Sequence, residues 1–239
     1  MTMMTDMKYT DLFIDFDDTL YDTRGNADIA LHELFDALHL ERHFPEPEVF
    51  FDAYWRTNID LWKRYSQGLV TRQYLIVERF RQPLSLGDGL DATEAYCLRA
   101  SDLFLDFCAT KPGLVDGARE LVDYLSGKGY RMHLCSNGFH EVQYRKLRAC
   151  GLETAFHTVI LSEDAGFNKP DLRYFDYAFV KAEARPETTL MIGDNFDTDI
   201  LGAQRAGMRT AYFNRFPEFP APAPTDYEVT SLRQLMDIL

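Results

Sequence analysis

The sequence predicts an α/β fold: a doubly wound parallel sheet, opened after its first strand by an all-helical insertion. Three observations carry this. An apolar run, Leu12-Phe13-Ile14, leads straight into Asp15, Asp17 and Asp18, as a buried strand does where it breaks into a loop. From residue 112 onward, short apolar strands alternate with amphipathic helices across short connections, the pattern of right-handed βαβ units whose sheet is covered on both faces. Between these two regions, residues 21–107 show helical spacing and no convincing strand.

The first strand ends in three carboxylates packed within four positions, followed by Thr19. Like charges this close repel unless a cation or a proton is shared among them. That strand end is therefore either a metal site or a set of turn-forming side chains.

In the insertion, apolar residues at Ile29, Ala30, Leu31, Leu34, Phe35 and Leu38 mark a helix over 28–39. Residues 49–65 carry Phe50, Phe51, Tyr54, Trp55, Trp62 and Tyr65 and read as one or two helices. Two more cover 71–81 and 92–107, with Gly87-Asp88-Gly89 as the break between them. Residues 21–107 are thus expected to form a helical domain, and residues 1–20 with 108–239 a Rossmann-like core. An inserted domain has two connections, here near 21–23 and 109–111, on which it would open and close.

In the core, a helix over 116–125 is closed by Gly127-Lys128-Gly129, and a strand over 131–135 ends in Ser136-Asn137-Gly138. A helix over 139–149 stops at Gly151. The strand at 158–161 leads to a loop through Asn168-Lys169-Pro170, then to a helix over 172–183 with Pro170 near its first turn. The strand at 189–192 runs into Gly193-Asp194-Asn195; a helix over 198–206 stops at Gly207, and a strand covers 209–213. Four prolines make 216–224 an extended loop, and 227–239 reads as a short strand and a closing helix.

Hydrophobic and charged fractions of 46% and 26% are ordinary for a soluble globular protein. A formal charge of −13 argues against a nucleic-acid polymer as partner. It is compatible with small phosphorylated molecules, because a local metal ion reverses the field inside a site. Cys97, Cys108, Cys135 and Cys150 are scattered, which suits buried free thiols in a reducing compartment. Residues 1–10 lack an apolar signal core, and no run approaches a membrane span. The expectation is a cytoplasmic protein, monomer or homodimer, with a short loose N-terminus and no membrane partner.

In an open parallel sheet, ligands bind outside the carboxyl ends of the strands. Those ends carry Asp15, Asp17 and Thr19; Ser136 and Asn137; the loop with Lys169; and Gly193, Asp194, Asn195 and Asp199. Taken singly, each is a turn, a helix cap or a solvated lysine. Together they suit a hard cation such as Mg²⁺, which takes oxygen ligands, and phosphoryl transfer, where placed positive charge offsets the phosphoryl oxygens.

These segments resemble the haloacid dehalogenase superfamily of aspartate-dependent phosphohydrolases over nearly the whole chain from Tyr9. Asp-x-Asp-x-Thr matches Asp15, Asp17 and Thr19, with Asp18 where many members carry glycine. The second motif matches Ser136, the third Lys169, and Gly-Asp-x-x-x-x-Asp matches Gly193, Asp194 and Asp199. The insertion matches the helical cap subclass. The resemblance implies that Asp15 is the nucleophile and forms an aspartyl-phosphate, while Asp17 is the general acid and base. It implies Mg²⁺ held by the carboxylates of Asp15 and Asp194 and by the carbonyl of Asp17, with Asp199 acting through a metal-bound water. It assigns phosphate contacts to Ser136, Asn137 and Lys169, and supporting places to Thr19, Gly193 and Asn195.

Ser136-Asn137-Gly138-Phe139, Asn168-Lys169-Pro170 and Gly193-Asp194-Asn195 are most similar to YjjG-type pyrimidine 5′-nucleotidases, which implies a nucleoside 5′-monophosphate substrate. Tyr54, Trp55, Trp62 and Tyr65 either stack a base or form the core of the insertion. Alternatives are a sugar-phosphate phosphatase, a phosphoglucomutase-like phosphotransferase and a non-catalytic binding protein. A halide leaves without a proton, so the retained Asp17 and acidic set speak against a dehalogenase. Lys63, the one lysine within 21–107, sits in mid-insertion, away from where a phosphonate-cleaving member carries its Schiff-base lysine.

Overall fold

A computed structural model describes residues 8–239. The chain divides into two compact units, residues 1–23 with 113–239 and residues 24–112. These joints lie three and five residues beyond those expected. Tyr21 is the reason at the first: it bridges Asp17 and Leu114, which keeps the segment after the strand in the first unit.

Strand β1 (Asp11–Ile14) opens the first unit. The second unit holds α1 (Thr23–Ala37, whose first residue belongs to the first unit), α2 (Pro47–Ser66), α3 (Arg72–Leu84) and α4 (Glu94–Cys108). Thr71 and Thr93 cap α3 and α4 by accepting from the N–H groups of Tyr74 and Tyr96, at 3.2 Å each. The helices close over Leu31, Leu34, Phe35, Phe50, Phe80 and Phe104. Tyr54 lies within that core, its ring 5.3 Å from those of Phe80 and Phe104, so packing claims it and not base stacking. Trp55, Trp62 and Tyr65 are half-buried.

The chain then re-enters the first unit with α5 (Ala118–Lys128), β2 (Arg131–Ser136), α6 (His140–Ala149), β3 (Thr158–Leu161), the short α7 (Ser162–Ala165) and α8 (Leu172–Ala182). Strand β4 (Thr189–Gly193), α9 (Leu201–Arg205), β5 (Arg209–Phe213) and β6 (Tyr227–Val229) complete it. The helix expected over 198–206 is split: Phe196–Ile200 form one wide π turn before α9. The closing helix is a 3₁₀ segment, Leu232–Asp237, with a Ser231/Gln234 capping box. Asp171 caps α8, its carboxylate accepting from the N–H of Arg173 at 2.9 Å, with Pro170 just before it.

All six strands are parallel, in the order β3-β2-β1-β4-β5-β6. The strand order therefore reverses at β1, which makes its carboxyl end the switch-point crevice where such sheets bind ligands. Leu12 and Ile14 enter one apolar layer with Leu121, Val122 and Leu125 of α5. Phe13 enters the other with Tyr174, Phe175 and Ala178 of α8. Burial on both faces explains why β1 reads as an unbroken apolar run. Each such side chain contributes about 1.5–3 kcal/mol by leaving water, so β1 is anchored along its length.

The loose N-terminus expected for residues 1–10 falls mostly outside the described residues. Of the rest, Tyr9 is buried and the N–H of Thr10 donates to the carbonyl of Thr188, so residues 9 and 10 are held by the sheet. All four cysteines are buried and none is in a disulfide. Among the described residues no helix is long and apolar enough to cross a membrane.

Candidate active site

Asp15 follows the last residue of β1, and its N–H donates to the carbonyl of Ile192 in β4 at 2.8 Å. The ladder thus holds the backbone up to the carboxylate. Its two oxygens have separate donors: Lys169 Nζ to Oδ1 at 2.7 Å and the Thr19 hydroxyl to Oδ2 at 3.0 Å. The Thr19 oxygen also lies 3.1 Å from Asp194 Oδ1 and accepts from the Asp194 N–H at 3.0 Å. Thr19 is fully buried and joins the ends of β1 and β4.

One oxygen atom from each of Asp15, Asp194 and Asp199 lies within 4.8 Å of the others, the one such trio among the described residues. Burial, then Lys169 opposing it, and the neighbouring carboxylate of Asp199 leave the Asp15 carboxyl pushed up to about 7. Burial and the charges of Asp15 and Asp199 hold Asp194 well above the usual carboxylate range. A buried acid and a half-buried one raised against each other form a donor set that a hard divalent cation stabilises in its ionised form, so the residues fit Mg²⁺.

The Asp199 carboxylate is fixed beside this centre. Its Oδ1 accepts from Lys169 Nζ at 2.7 Å and from the Thr198 hydroxyl at 3.2 Å, and its Oδ2 accepts from the Asn195 N–H at 3.1 Å. The wide turn after Asn195 makes this possible, with Asn195 Oδ1 accepting from the Thr198 N–H at 3.1 Å. A β-carbon at Gly193 would lie 2.3 Å from the Asp199 carboxylate, so only glycine fits there.

Lys169 is almost fully enclosed, and its third donated bond goes to the carbonyl of Cys135 at 2.7 Å. Its charge is held above the usual lysine range by Asp15 and Asp199, against the burial that lowers it. The Asn137 carboxamide grips the same loop. Its Oδ1 accepts from the Lys169 N–H at 2.8 Å and its Nδ2 donates to the Lys169 carbonyl at 3.0 Å. That side chain therefore helps to place Lys169.

The Asp17 side chain stands outside the acidic trio. Thr23 Oγ1 and Lys146 Nζ donate to its Oδ1 at 2.8 and 2.7 Å. Gln143 Nε2 and the Ser136 hydroxyl donate to its Oδ2 at 2.5 and 3.3 Å. Burial alone raises this carboxyl, but the Lys146 charge and these bonds outweigh it and hold Asp17 below the usual range. Ser136 Oγ accepts in turn from the Gly138 N–H at 3.0 Å.

Gln143, Lys146 and Arg215 are site residues that sequence reasoning missed. Arg215 donates to Asp18 Oδ1 at 2.5 Å and lies 3.5 Å from Asp22 Oδ1. Asp18, at φ 63°, occupies the left-handed region that glycine favours and that Asp tolerates. The sequence signal for Gln143 and Lys146 was their spacing of three in α6, which places both on one helix face just after Ser136.

A family model for haloacid dehalogenase-like hydrolases matches residues 12–207. The HAD-hydrolase YfnB of Bacillus subtilis is 33% identical over 235 residues, covering 97% of this chain and 96% of its own. The pyrimidine 5′-nucleotidase YjjG of Escherichia coli is 30% identical over 98% of this chain and 99% of its own. A glyceraldehyde 3-phosphate phosphatase of Methanothermobacter thermautotrophicus is 30% identical over 85% of this chain and 84% of its own. A crystal structure of YfnB bound to magnesium, which reveals interdomain movement, superposes with a TM-score of 0.85 at 31% identity, covering 97% of this chain and 98% of that one.

Proposed function

The chain belongs to the haloacid dehalogenase-like hydrolase family, and from that premise we propose that it hydrolyses small phosphomonoesters through Asp15, with Mg²⁺ as cofactor. The observation that carries this reading is the setting of Asp15. Its carboxylate has Lys169 on one oxygen and Thr19 on the other, beside two further acids at the switch point of the sheet.

In this reading, an Asp15 oxygen forms a bond to phosphorus while the bond from phosphorus to the ester oxygen breaks. Asp17 delivers its proton to that departing oxygen. A water then attacks the phosphorus of the aspartyl-phosphate, Asp17 takes the water's proton, and phosphate and free Asp15 are released. Lys169 offsets charge on the nucleophile, and the Ser136 hydroxyl with the turn at Gly138 offers donors to the phosphoryl oxygens. Asp15 and Asp194, with Asp199 adjacent and the Asp17 carbonyl, are the groups that would hold Mg²⁺, which supplies positive charge to the phosphoryl oxygens.

Asp17 rests as a well-stabilised anion, the form the water-activating step needs. To deliver a proton, Asp17 must first take one up from solvent and give up some of its four donors when substrate arrives; the proton it takes from the attacking water then serves the next turnover.

Nucleoside 5′-monophosphates, pyrimidine ones first, are the proposed substrates. Support comes from the YjjG and PynA relatives, both pyrimidine 5′-nucleotidases near 30% identity over almost the entire chain. Sugar phosphates are the second reading, supported by the glyceraldehyde 3-phosphate phosphatases. A panel of UMP, dUMP, dTMP, AMP and sugar phosphates, scored by Mg²⁺-dependent phosphate release, separates them. Higher kcat/KM on the pyrimidine nucleotides supports the first reading; higher kcat/KM on sugar phosphates replaces it with the second.

A further inference from the structure

We propose that Gln143 and Lys146 of α6 are positioning residues for Asp17, fixing the carboxylate that exchanges a proton with the leaving group and tying it to the Ser136 turn. The inference rests on the phosphomonoesterase reading above and extends it to a helix that carries none of the matched motifs.

The geometry is specific to Asp17. Gln143 is fully buried and Lys146 nearly so, yet among the described residues neither side chain has a polar partner other than Asp17 and Ser136. Lys146 Nζ lies 2.7 Å from Asp17 Oδ1 and 4.9 Å from the centre of the Tyr21 ring, which stacks in turn on Phe16. The ammonium is thus boxed between a carboxylate and an aromatic face and has little freedom to swing away.

Gln143 is held just as firmly. Its Nε2 donates to Asp17 Oδ2 at 2.5 Å and to Ser136 Oγ at 2.6 Å. Turning the amide over would set its carbonyl against the carboxylate, so the donor end is fixed. As a result, Gln143 Oε1 is buried without a hydrogen-bond partner among the described residues. A buried carbonyl left unpaired is costly to stability, and such costs concentrate where function requires a geometry.

Glycine at 138 leaves the space that the carboxamide fills: a β-carbon there would lie 2.1 Å from Gln143 Nε2. The sequence Ser136-Asn137-Gly138 is therefore shaped by α6 as well as by its own turn. Each Asp17 oxygen receives one bond from outside α6, from Thr23 at the start of α1 or Ser136 at the end of β2, and one from α6. The bonds from α6, at 2.5 and 2.7 Å, are shorter than those from Thr23 and Ser136, at 2.8 and 3.3 Å, and give each oxygen its second donor. Proton transfer depends on that hold, because the donor must stay within hydrogen-bond reach of the ester oxygen.

The test compares two esters of different leaving group in Gln143→Met and Lys146→Met, which keep side-chain length. A nucleoside 5′-monophosphate such as UMP expels an alkoxide that needs a proton, whereas p-nitrophenyl phosphate expels a stable phenolate. We expect kcat/KM on UMP, which reports the steps up to the aspartyl-phosphate, to fall about a hundredfold and kcat/KM on p-nitrophenyl phosphate to fall about tenfold or less; hydrolysis of the intermediate is common to both esters and does not enter this ratio. Turnover of the aryl ester reports a folded site in the same sample. Lys146→Arg, which keeps the cation, should recover most of the UMP turnover. Equal falls on both esters, a change confined to KM, or undiminished UMP turnover would each overturn the proposal. If the wild-type protein hydrolyses neither ester, the phosphomonoesterase reading fails first, and the wild-type assay alone reveals it.

Discussion

Lys169 donates from Nζ to Asp15 Oδ1 at 2.7 Å, with both side chains withdrawn from solvent. The same ammonium donates to Asp199 Oδ1 and to the Cys135 carbonyl, each at 2.7 Å, so all three of its hydrogens are placed. A cation this enclosed persists because two carboxylates face it, and its loss would strand both. Lys169→Met is expected to lower stability by about 3–5 kcal/mol, the cost of breaking a buried ion pair from one side. Urea unfolding measures this, and a loss under about 1 kcal/mol would mean that the two acids simply take up protons.

Asp15→Asn separates chemistry from packing. The amide keeps the shape, and removes one of three crowded carboxylates. Phosphate release from p-nitrophenyl phosphate should fall at least about a thousandfold, as expected when a nucleophile is removed. The unfolding midpoint of the metal-free variant should stay level or rise, because Asp194 loses a repelling neighbour. Activity that survives this change would remove Asp15 from the reaction.

Much of this site was legible in the sequence because parallel strands deliver their carboxyl ends to one edge. Once the chain was read as βαβ units, Asp15, Ser136, Lys169 and Asp194 had to converge. Lys169, before Pro170, and Asp194, after Gly193, also sit at punctuation points, where pattern is easiest to read. The rest was hidden for identifiable reasons. Gln143 and Lys146 lie within a helix whose polar residues look solvent-facing, and only the tertiary position of Asp17 makes them interior. Arg215 is nearly two hundred positions from Asp18, and long-range ion pairs leave no local signal. The grip of the Asn137 carboxamide on the Lys169 backbone is equally non-local and left no sequence signal. The split of the 198–206 helix was invisible too, since a π turn and an α turn share the same apolar spacing to within one residue.

Asp18 shows how an unusual residue can be compensated. A residue other than glycine in the left-handed region costs about 1–2 kcal/mol, eased for Asp by its short polar side chain. Against this stands the Arg215 pair, partly exposed and worth about 0.2–1 kcal/mol. The two effects nearly cancel, so Asp18→Gly should change the unfolding free energy by less than about 1 kcal/mol. Asp18→Ala keeps the backbone cost and loses the pair, and should destabilise by about 0.2–1 kcal/mol, leaving it about 1–2 kcal/mol less stable than the glycine variant. Denaturant midpoints of the two variants check the order; an alanine variant as stable as the glycine one would mean that the backbone conformation carries no cost here.

The acidic trio makes stability depend on pH and metal together. The Asp15 carboxyl is pushed up from 3.8 to about 7, chiefly by burial, and Asp194 is raised well above its usual range for the same first reason. An acid whose folded pKa exceeds its unfolded one binds more protons when folded. Its contribution to stability is therefore fully present below the unfolded value of 3.8 and is lost as pH rises through about 7. A divalent cation held by the ionised carboxylates competes with those protons, so Mg²⁺ should stabilise the protein more where the protons have left. Thermal unfolding with and without excess MgCl₂ should show a larger upward shift at about pH 8 than at about pH 5, while Asp194→Asn should shrink the difference. Equal shifts at both pH values would mean that the cation does not bind these carboxylates, and the assignment of Asp15 and Asp194 as its ligands would fall.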